Sequence, residues 1–427
     1  MTSTRIVSPQ PTPFTATVDV PGDKSLSHRA LLFAGMANGT SSVDGLGPGA
    51  DIAATAEALR HLGVGVEGAT VVSRGVGAWQ EPGRALACGN SGTTMRLLVG
   101  ALAARPFRTI LTGDASLTAR PMERLAAPIE ALGGRIELAA PGTPPITVGP
   151  GTALRGARVE IPIASAQVRS AFELAAVQSE GVSHVTSPPG FRDHTERWLE
   201  TLGLGERLTP AEFRVYPGDV PPHGYVVPGD ASSAAYLWAA AAIRPGSAVT
   251  TPEVTLNPGR IGFLQVLDEM GAEVEAEVTR SMLGDPVGTV TVRGRALQGV
   301  EIQGSLVAAT LDELPLVAVV ASFAEGVTTI RDAAELRTKE SDRITATCRM
   351  VRGLRGGAEE ASDGFQVLGL GWLEAGEVDA GGDHRIAMAA AVAATGASGP
   401  VVIHGADSVA VSWPSFFDML EPLWSSR

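Results

Sequence analysis

DIAATAEALRHLG, Asp51 to Gly63, places apolar residues at helical spacing and then stops on Leu-Gly. That is the pattern of an α-helix closed by a residue in the left-handed conformation just past its end. The same ending returns in RPMERLAAPIEALG (Arg120–Gly133), HTERWLETLG (His194–Gly203) and RIGFLQVLDEMG (Arg260–Gly271), with the four glycines 70, 70 and 68 residues apart. Strand-like GVGVE, GRIEL and AEVEAEV follow three of them, and SDRITATCRMVRGLRGG is a looser later copy. VPGD stands at Val20–Asp23 and again at Val227–Asp230, 207 residues on, close to three of the short units. Chance recurrence among 51 glycines is the competing reading, and regular spacing over four copies disfavours it. The expectation is two pseudo-equivalent halves of three α/β units each.

Every unit also carries a second helix packed with small and apolar residues, starting near Lys24, Asn90, Ser165, Asp230, Asp312 and Asp383. A helix apolar on nearly all sides, such as IAMAAAVAA, belongs in an interior. Its first turn still presents unpaired N–H groups and the positive end of a dipole, so several such ends would suit anions. The chemistry is therefore expected at these helix starts.

Composition narrows the class. At 427 residues the chain is too long for one ordinary core. With 44% hydrophobic and 19% charged residues it reads as globular, and a formal net charge of −13 argues against a nucleic-acid or anionic-membrane partner. Cys88 and Cys348 are the only cysteines and have no metal-ligand spacing, so a reducing compartment is expected. MTSTRIVSPQPTPF lacks the pattern of a signal peptide, and apolar runs such as Ser233–Ile243 fall short of the roughly 20 residues of a membrane span. A soluble cytoplasmic protein is the expectation. If its substrates are anionic, a local group of Lys and Arg must attract them.

VDVPGDKSLSHRALLFAG puts Lys24 and Ser25 at a helix start, with Arg29 one turn on. A nucleotide-binding P-loop needs Gly directly before its Lys, and Asp23 stands there instead. GNSGTTMRLL (Gly89–Leu98) opens another helix with Gly92 and Arg96, which reads equally as a Gly-rich turn or as a small-anion site. In SAQVRSAFELAA, Ser165 and Gln167 taken alone read as an N-cap. LRTKESDRI packs Arg337, Lys339, Glu340 and Arg343 together, a cluster that by itself reads as a solvated face. GGDHRIAMAAA is harder to dismiss, because His384 and Arg385 open a strongly apolar helix, and Asp312-Glu313 before LPLVAV pose the same problem with opposite sign.

Taken in order, PGDKSLSHRA, GNSGTTMRLL, GDASLTARPM, SAQVRSA, RDHTE, PGDASSAAY, DELP, RTKESDR and GGDHRIAMA make the chain resemble the 5-enolpyruvylshikimate-3-phosphate synthases, within the enolpyruvyl transferases. The resemblance implies an α/β fold of two similar domains, each of three βαβαββ units around buried parallel helices. It implies residues 1–20 and 228–427 as one discontinuous domain and 21–227 as the other, with the active site in the cleft between them. It further implies transfer of the enolpyruvyl group of phosphoenolpyruvate to the 5-hydroxyl of shikimate 3-phosphate by addition and elimination, with no metal and no cofactor. The partners implied are these two small molecules, with no nucleic acid and no membrane, acting on a monomer.

Carried over residue by residue, the resemblance assigns Lys24, Ser25, Arg29, Ser165, Ala166, Gln167, Arg192, Asp312 and Lys339 to shikimate 3-phosphate. It assigns Lys24, Gly92, Arg120, Gln167, Arg343 and Arg385 to phosphoenolpyruvate, and acid–base work to Lys24, Asp312 and Glu340. Lys24, Arg29, Arg120, Arg343 and Arg385 are expected to form a positive cleft in an acidic protein. Val411 stands where some relatives carry Lys, and Arg169 where one branch, the branch that tends to tolerate the competitor glyphosate, carries Lys. The related transferase acting on UDP-N-acetylglucosamine is the nearest rival, and neither Cys88 nor Cys348 is placed like its reactive loop cysteine.

Overall fold

The computed structural model describes residues 3–10, 12–151 and 153–420. Met1, Thr2 and Pro11, part of the stretch read for a leader, lie outside the described residues. The chain divides into two compact units, Gly22–Val227 with Ser281–Asp285, and Met1–Pro21 with Pro228–Arg280 and Pro286–Arg427. Nothing in the sequence had marked residues 281–285 for the first of these.

In the unit built on Gly22–Val227, three four-stranded sheets repeat one pattern. Leu86–Ala87 pairs in parallel with Thr109–Thr112, which runs antiparallel to Thr143–Val148, and that strand to Ile136–Ala139. Arg158–Glu160, Ser183–Thr186, Glu212–Val215 and Gly205–Arg207 do the same, as do Gly224–Val226, Asn38–Asp44, Thr70–Arg74 and Gly65–Glu67. Strands such as Thr70–Arg74 alternate buried and exposed residues, because one sheet face meets helices and the other meets solvent. The helices that matter here are α1 (Lys24–Met36), α2 (Ala50–His61), α3 (Gly92–Leu102), α4 (Ala166–Ala176) and α5 (His194–Thr201). Gly100 lets α3 and α4 touch: a Cβ there would lie 2.0 Å from the Ala171 carbonyl oxygen.

The other unit repeats the pattern with Glu301–Ile302, Glu325–Ile330, Gly364–Leu370 and Gly357–Ala361. Its remaining sheets are Glu273–Met282, Asp285–Arg293, Ala248–Thr255 and Thr15–Thr17, and the three-stranded Thr4–Val7, Val401–His404 and Gly376–Asp379. Its helices are α6 (Ala231–Ala242), α7 (Gly262–Glu269), α8 (Leu314–Ser322), α9 (Arg343–Gly353) and α10 (His384–Gly396). Every residue of α6 and α8 is buried, as their all-round apolar composition requires.

The two VPGD segments mark an exchange of strands. Thr15–Thr17 precedes α1 in the chain yet pairs in parallel with Ala248–Thr255, whereas Gly224–Val226 precedes α6 yet pairs with Asn38–Asp44. Each unit is thus completed by a strand from the far side of a crossover.

The anticipated helix stops are built alike. Gly63, Gly133, Gly203 and Gly271 all have positive φ, and the amide after each returns to the carbonyl five residues back, as in Val64 to Leu59 at 3.0 Å and Ala272 to Leu267 at 2.9 Å. The second stretch differs in one respect: its helix is short, Ala126–Ala131, preceded by a 3₁₀ turn over Glu123–Leu125. At the looser fifth copy the left-handed residue is Arg355, φ +63°, with Gly356 bonded to Val351 at 2.9 Å. A side chain in this conformation costs about 1 kcal/mol against Gly. Arg355→Gly is therefore expected to raise stability by roughly 0.5–1 kcal/mol in a denaturant titration, and an unchanged or lowered midpoint would contradict this.

Among the described residues Ser305–Ser322 is one helical stretch of 18 residues with mean hydropathy 1.6, and with two-thirds of it buried inside the protein it packs as a core segment. It joins a short helix, Ser305–Thr310, to α8 through a 3₁₀ turn that carries Asp312 and Glu313.

Candidate active site

Six helix starts fall where the sequence placed them, five on caps: Asp23, Ser91, Ser165, Asp230 and Asp383. Three of these are aspartates whose carboxylates accept first-turn amides, from Leu26 at 2.8 Å, Ser232 at 2.7 Å and Arg385 at 3.0 Å. The sixth, α8, follows the 3₁₀ turn of Asp312.

In the first unit Lys24, at the first position of α1, forms an ion pair with Asp51 of α2. Behind them runs a buried chain of hydroxyls. His28 Nδ1 lies 2.7 Å from Thr55 Oγ1, Thr55 lies 2.7 Å from Thr94, and Thr94 donates to Ser91 Oγ at 2.7 Å and to the Asp51 carbonyl at 3.3 Å. The starts of α1, α2 and α3 are therefore locked to one another. Burial and the nearby Lys24 and Arg29 charges hold the His28 imidazole well below its ordinary range, so it is a neutral hydrogen-bonding group.

Beside this chain, Gln167 of α4 bridges α3: it donates to Thr93 Oγ1 at 2.8 Å and accepts from Arg96 at 2.5 Å. Arg120 donates to Asn90 Oδ1 at 2.6 Å, and a Cβ on Gly92 would stand 2.7 Å from Arg96 Nη1 and 3.5 Å from Arg120 Nη1. Gly92, Arg120 and Gln167 are thus brought together, beside a stretch of backbone that carries no side chain at Gly92.

Arg29 turns inward. It is 3% exposed and donates to Thr195 Oγ1 at 2.8 Å, Ser170 Oγ at 2.9 Å and the Ser25 carbonyl at 3.0 Å. Next to it Arg169, also buried, donates to Glu196 at 2.7 Å and lies over the Phe191 ring at 4.3 Å. His194 bonds Asp285 at 2.9 Å, and Asp193 pairs with Arg197 and Arg207, each at 2.8 Å. So His194, Thr195 and Glu196 of RDHTE are interior anchors. Arg192 stands partly buried just before α5, and Lys339 pairs with Glu335 at 2.6 Å in the other unit.

Glu173 completes that interior cluster, 3.8 Å from Arg169 and fully buried. Burial and the neighbouring Glu196 carboxylate push its carboxyl well above the usual range. A raised folded-state value means stability is fully present below the unfolded value of 4.5 and is lost as pH rises through the folded one. Glu173→Gln is expected to melt at or above the wild type at pH 8, with the difference vanishing toward pH 4.5. A variant that loses ground specifically at pH 8 would contradict this.

In the second unit one buried guanidinium organises the site. Arg343, 1% exposed, meets Glu340 Oε2 at 2.6 Å, Asp383 Oδ2 at 2.8 Å and Asp312 Oδ1 at 3.2 Å. Arg385 donates from Nη1 to the Asp312 carbonyl and to Glu313, both at 3.1 Å, and its Nη2 lies 3.5 Å from Asp312 Oδ2. Burial works against the Arg343 charge, but Asp383 and Glu340 outweigh it and hold the guanidinium above its ordinary range. Burial likewise would raise the Asp383 carboxyl, yet Arg343 and His384 bring it below the usual value. Arg260 closes the group on Asp230 at 2.7 Å.

A sequence pattern for EPSP synthase (3-phosphoshikimate 1-carboxyvinyltransferase) matches residues 9–420. The chain belongs to this family. A 3-phosphoshikimate 1-carboxyvinyltransferase of Halorhodospira halophila is 44% identical over 95% of this chain and 92% of its own, and one from Herpetosiphon aurantiacus is 42% identical over 94% and 95%. An EPSP synthase structure from Acinetobacter baumannii superposes with a TM-score of 0.88 at 37% identity, covering 98% of both chains. The enolpyruvyl transferase NikO of Streptomyces tendae shares the fold, with a TM-score of 0.77 at 17% identity over 99% of this chain and 98% of that one. The two-domain enolpyruvyl transferase fold is established.

Within each unit the cations expected to form a positive cleft stand beside carboxylates, hydroxyls or amide groups. Around Arg260, Arg343 and Arg385 stand five carboxylates, Asp230, Asp312, Glu313, Glu340 and Asp383. Lys24 has its own carboxylate in Asp51, and Arg29 faces hydroxyls inside its unit. Sequence reasoning missed Asp51 and Arg260 as site neighbours, and it singled out Arg96 and Glu313 without giving either a role. Asp51 had one available signal, an acid in the first turn of a helix, but its partner Lys24 is 27 residues away and no local spacing links them. Cys88 is buried, and desolvation pushes its thiol up to about 12, which makes it an inert neighbour of Gly89.

Proposed function

We propose that this chain catalyses the 3-phosphoshikimate 1-carboxyvinyltransferase reaction, joining phosphoenolpyruvate to shikimate 3-phosphate. The observation that carries the reading is the pair Asp312 and Glu340 held on one buried guanidinium, at 3.2 and 2.6 Å from Arg343. Two carboxyl groups preset on one cation suit a reaction that moves one proton off oxygen and another onto carbon.

In this reading Asp312 takes the proton of the 5-hydroxyl as its oxygen adds to C2 of phosphoenolpyruvate. Glu340 delivers a proton to C3, giving a methyl group on a tetrahedral carbon. In the second half C3 returns a proton to Glu340, the C2–C3 double bond re-forms and phosphate leaves with a proton from Lys24. Arg120, Arg343 and Arg385, with Lys24, Gln167 and the open backbone at Gly92, bind phosphoenolpyruvate. Ser25, Ser165, Ala166, Gln167, Arg192 and Lys339, with Lys24 and Asp312, hold shikimate 3-phosphate, and Arg29 acts beneath them by fixing the Ser25 carbonyl at 3.0 Å. Both units contribute residues, so residues 1–20 with 228–427 and residues 21–227 are read as domains serving one cleft.

The enzyme is read as a cytoplasmic monomer using no metal or organic cofactor. Phosphate release tests the reaction: it is expected with phosphoenolpyruvate plus shikimate 3-phosphate and not with UDP-N-acetylglucosamine as acceptor. Release with the nucleotide sugar alone would refute the reading.

A further inference from the structure

Glu313 is a buried carboxylate with no role in the steps above. It is 2% exposed, and although it precedes α8 its side chain makes no capping hydrogen bond to that helix. Oε1 accepts from Arg385 Nη1 at 3.1 Å, and Oε2, sealed from solvent, has no hydrogen-bond partner. Leaving a carboxylate oxygen in that condition costs stability, which points to a role outside folding.

The geometry supplies one. Arg385 spends the same Nη1 on Glu313 and on the Asp312 carbonyl, while Nη2 stays 3.5 Å from Asp312 Oδ2. One edge of the guanidinium is therefore fixed inward, and the other is left beside the carboxylate given the 5-hydroxyl proton. Tyr236 of α6, 2% exposed, lies within electrostatic reach of Arg385 and Glu313. A planar guanidinium clamped on one edge keeps the orientation needed for two-pronged contact with an oxyanion on the other, and loses less freedom on binding.

We propose that Glu313 is a positioning residue for phosphoenolpyruvate, acting through Arg385 rather than by touching substrate; this rests on the function proposed above. Glu313→Gln keeps the shape and removes the charge, and Glu313→Asp keeps the charge one methylene short of its partner. Either is expected to raise KM for phosphoenolpyruvate about ten- to a hundredfold, the loss of one charge-assisted contact, while KM for shikimate 3-phosphate stays within about twofold. In an Arg385→Ala background Glu313→Gln should add nothing further, because the residue acts through that guanidinium.

The experiment is steady-state phosphate release by the full chain and these variants, with thermal unfolding recorded beside it. An unchanged KM for phosphoenolpyruvate in both single variants would overturn the proposal. So would an equal rise in both KM values with a lowered melting point, or a further loss in the Arg385→Ala background. Absence of turnover in the wild type would overturn the function itself and this inference with it, whereas wild-type turnover with insensitive Glu313 variants would overturn this inference alone.

Discussion

Arg343→Met is expected to cost about 3–5 kcal/mol of stability as well as nearly all activity, because it takes the shared cation from three carboxylates at once. Asp312, Glu340 and Asp383 lie within 3.2 Å of that guanidinium, and Asp383 is 0% exposed. Removing the partner of a buried charge leaves the desolvation penalty without its compensation. For a unit of this size the melting point should fall on the order of 10 °C. The loss should depend on pH with a fixed sign. Arg343 holds the Asp383 carboxyl below 3.8, so its stabilisation is present above that value and fades as pH falls through the lower folded-state one. The gap between variant and wild type is therefore widest near neutrality and narrows in acid. Melting curves of both proteins across that range check it, and a variant that melts with the wild type at pH 7 would contradict the account of Arg343 as the centre of this cluster.

Lys24→Met should lower kcat/KM for phosphoenolpyruvate by about a thousandfold or more, combining a lost charge-assisted contact with a lost proton donor. Stability should suffer less, by about 1–3 kcal/mol, since the change strands Asp51, which is 5% exposed. Lys24→Met with Asp51→Asn separates the two effects. The second change removes the stranded charge and should restore the melting point, leaving activity absent. Turnover of the single variant within tenfold of wild type would remove Lys24 from the chemistry.

Local geometry was legible in the sequence. A left-handed cap needs Gly one residue past the helix and an apolar residue before it, so Gly63, Gly133, Gly203 and Gly271 announced four helix ends without reference to anything distant. Helix starts were legible for the same reason, because Asp23, Asp230 and Asp383 cap the turns that directly follow them. Arg355 escaped because the rule it breaks is the one used to find the others. Partnerships across the chain were not legible. Arg29 reaches Thr195, 166 residues on, and Arg169 reaches Glu196 through the packing of α4 against α5, so the anchoring role of Thr195 and Glu196 shows only in the structure. The carboxylates around Arg343 and Arg385 were individually visible, but charge balance belongs to the folded cluster and not to any spacing. That Thr15–Thr17 and Gly224–Val226 each pair within their own unit with a strand far along the chain follows from a topology that VPGD marks without explaining.

The proposed reaction requires Lys24 of one unit and Arg385 of the other to act on the same phosphoenolpyruvate molecule. A double-mutant cycle on kcat/KM for phosphoenolpyruvate, combining Lys24→Met with Arg385→Ala, measures this directly. Groups that act as one unit give non-additive losses, so the double variant should be no worse than its more damaged parent. Losses that multiply, as for two separate sites, would contradict it.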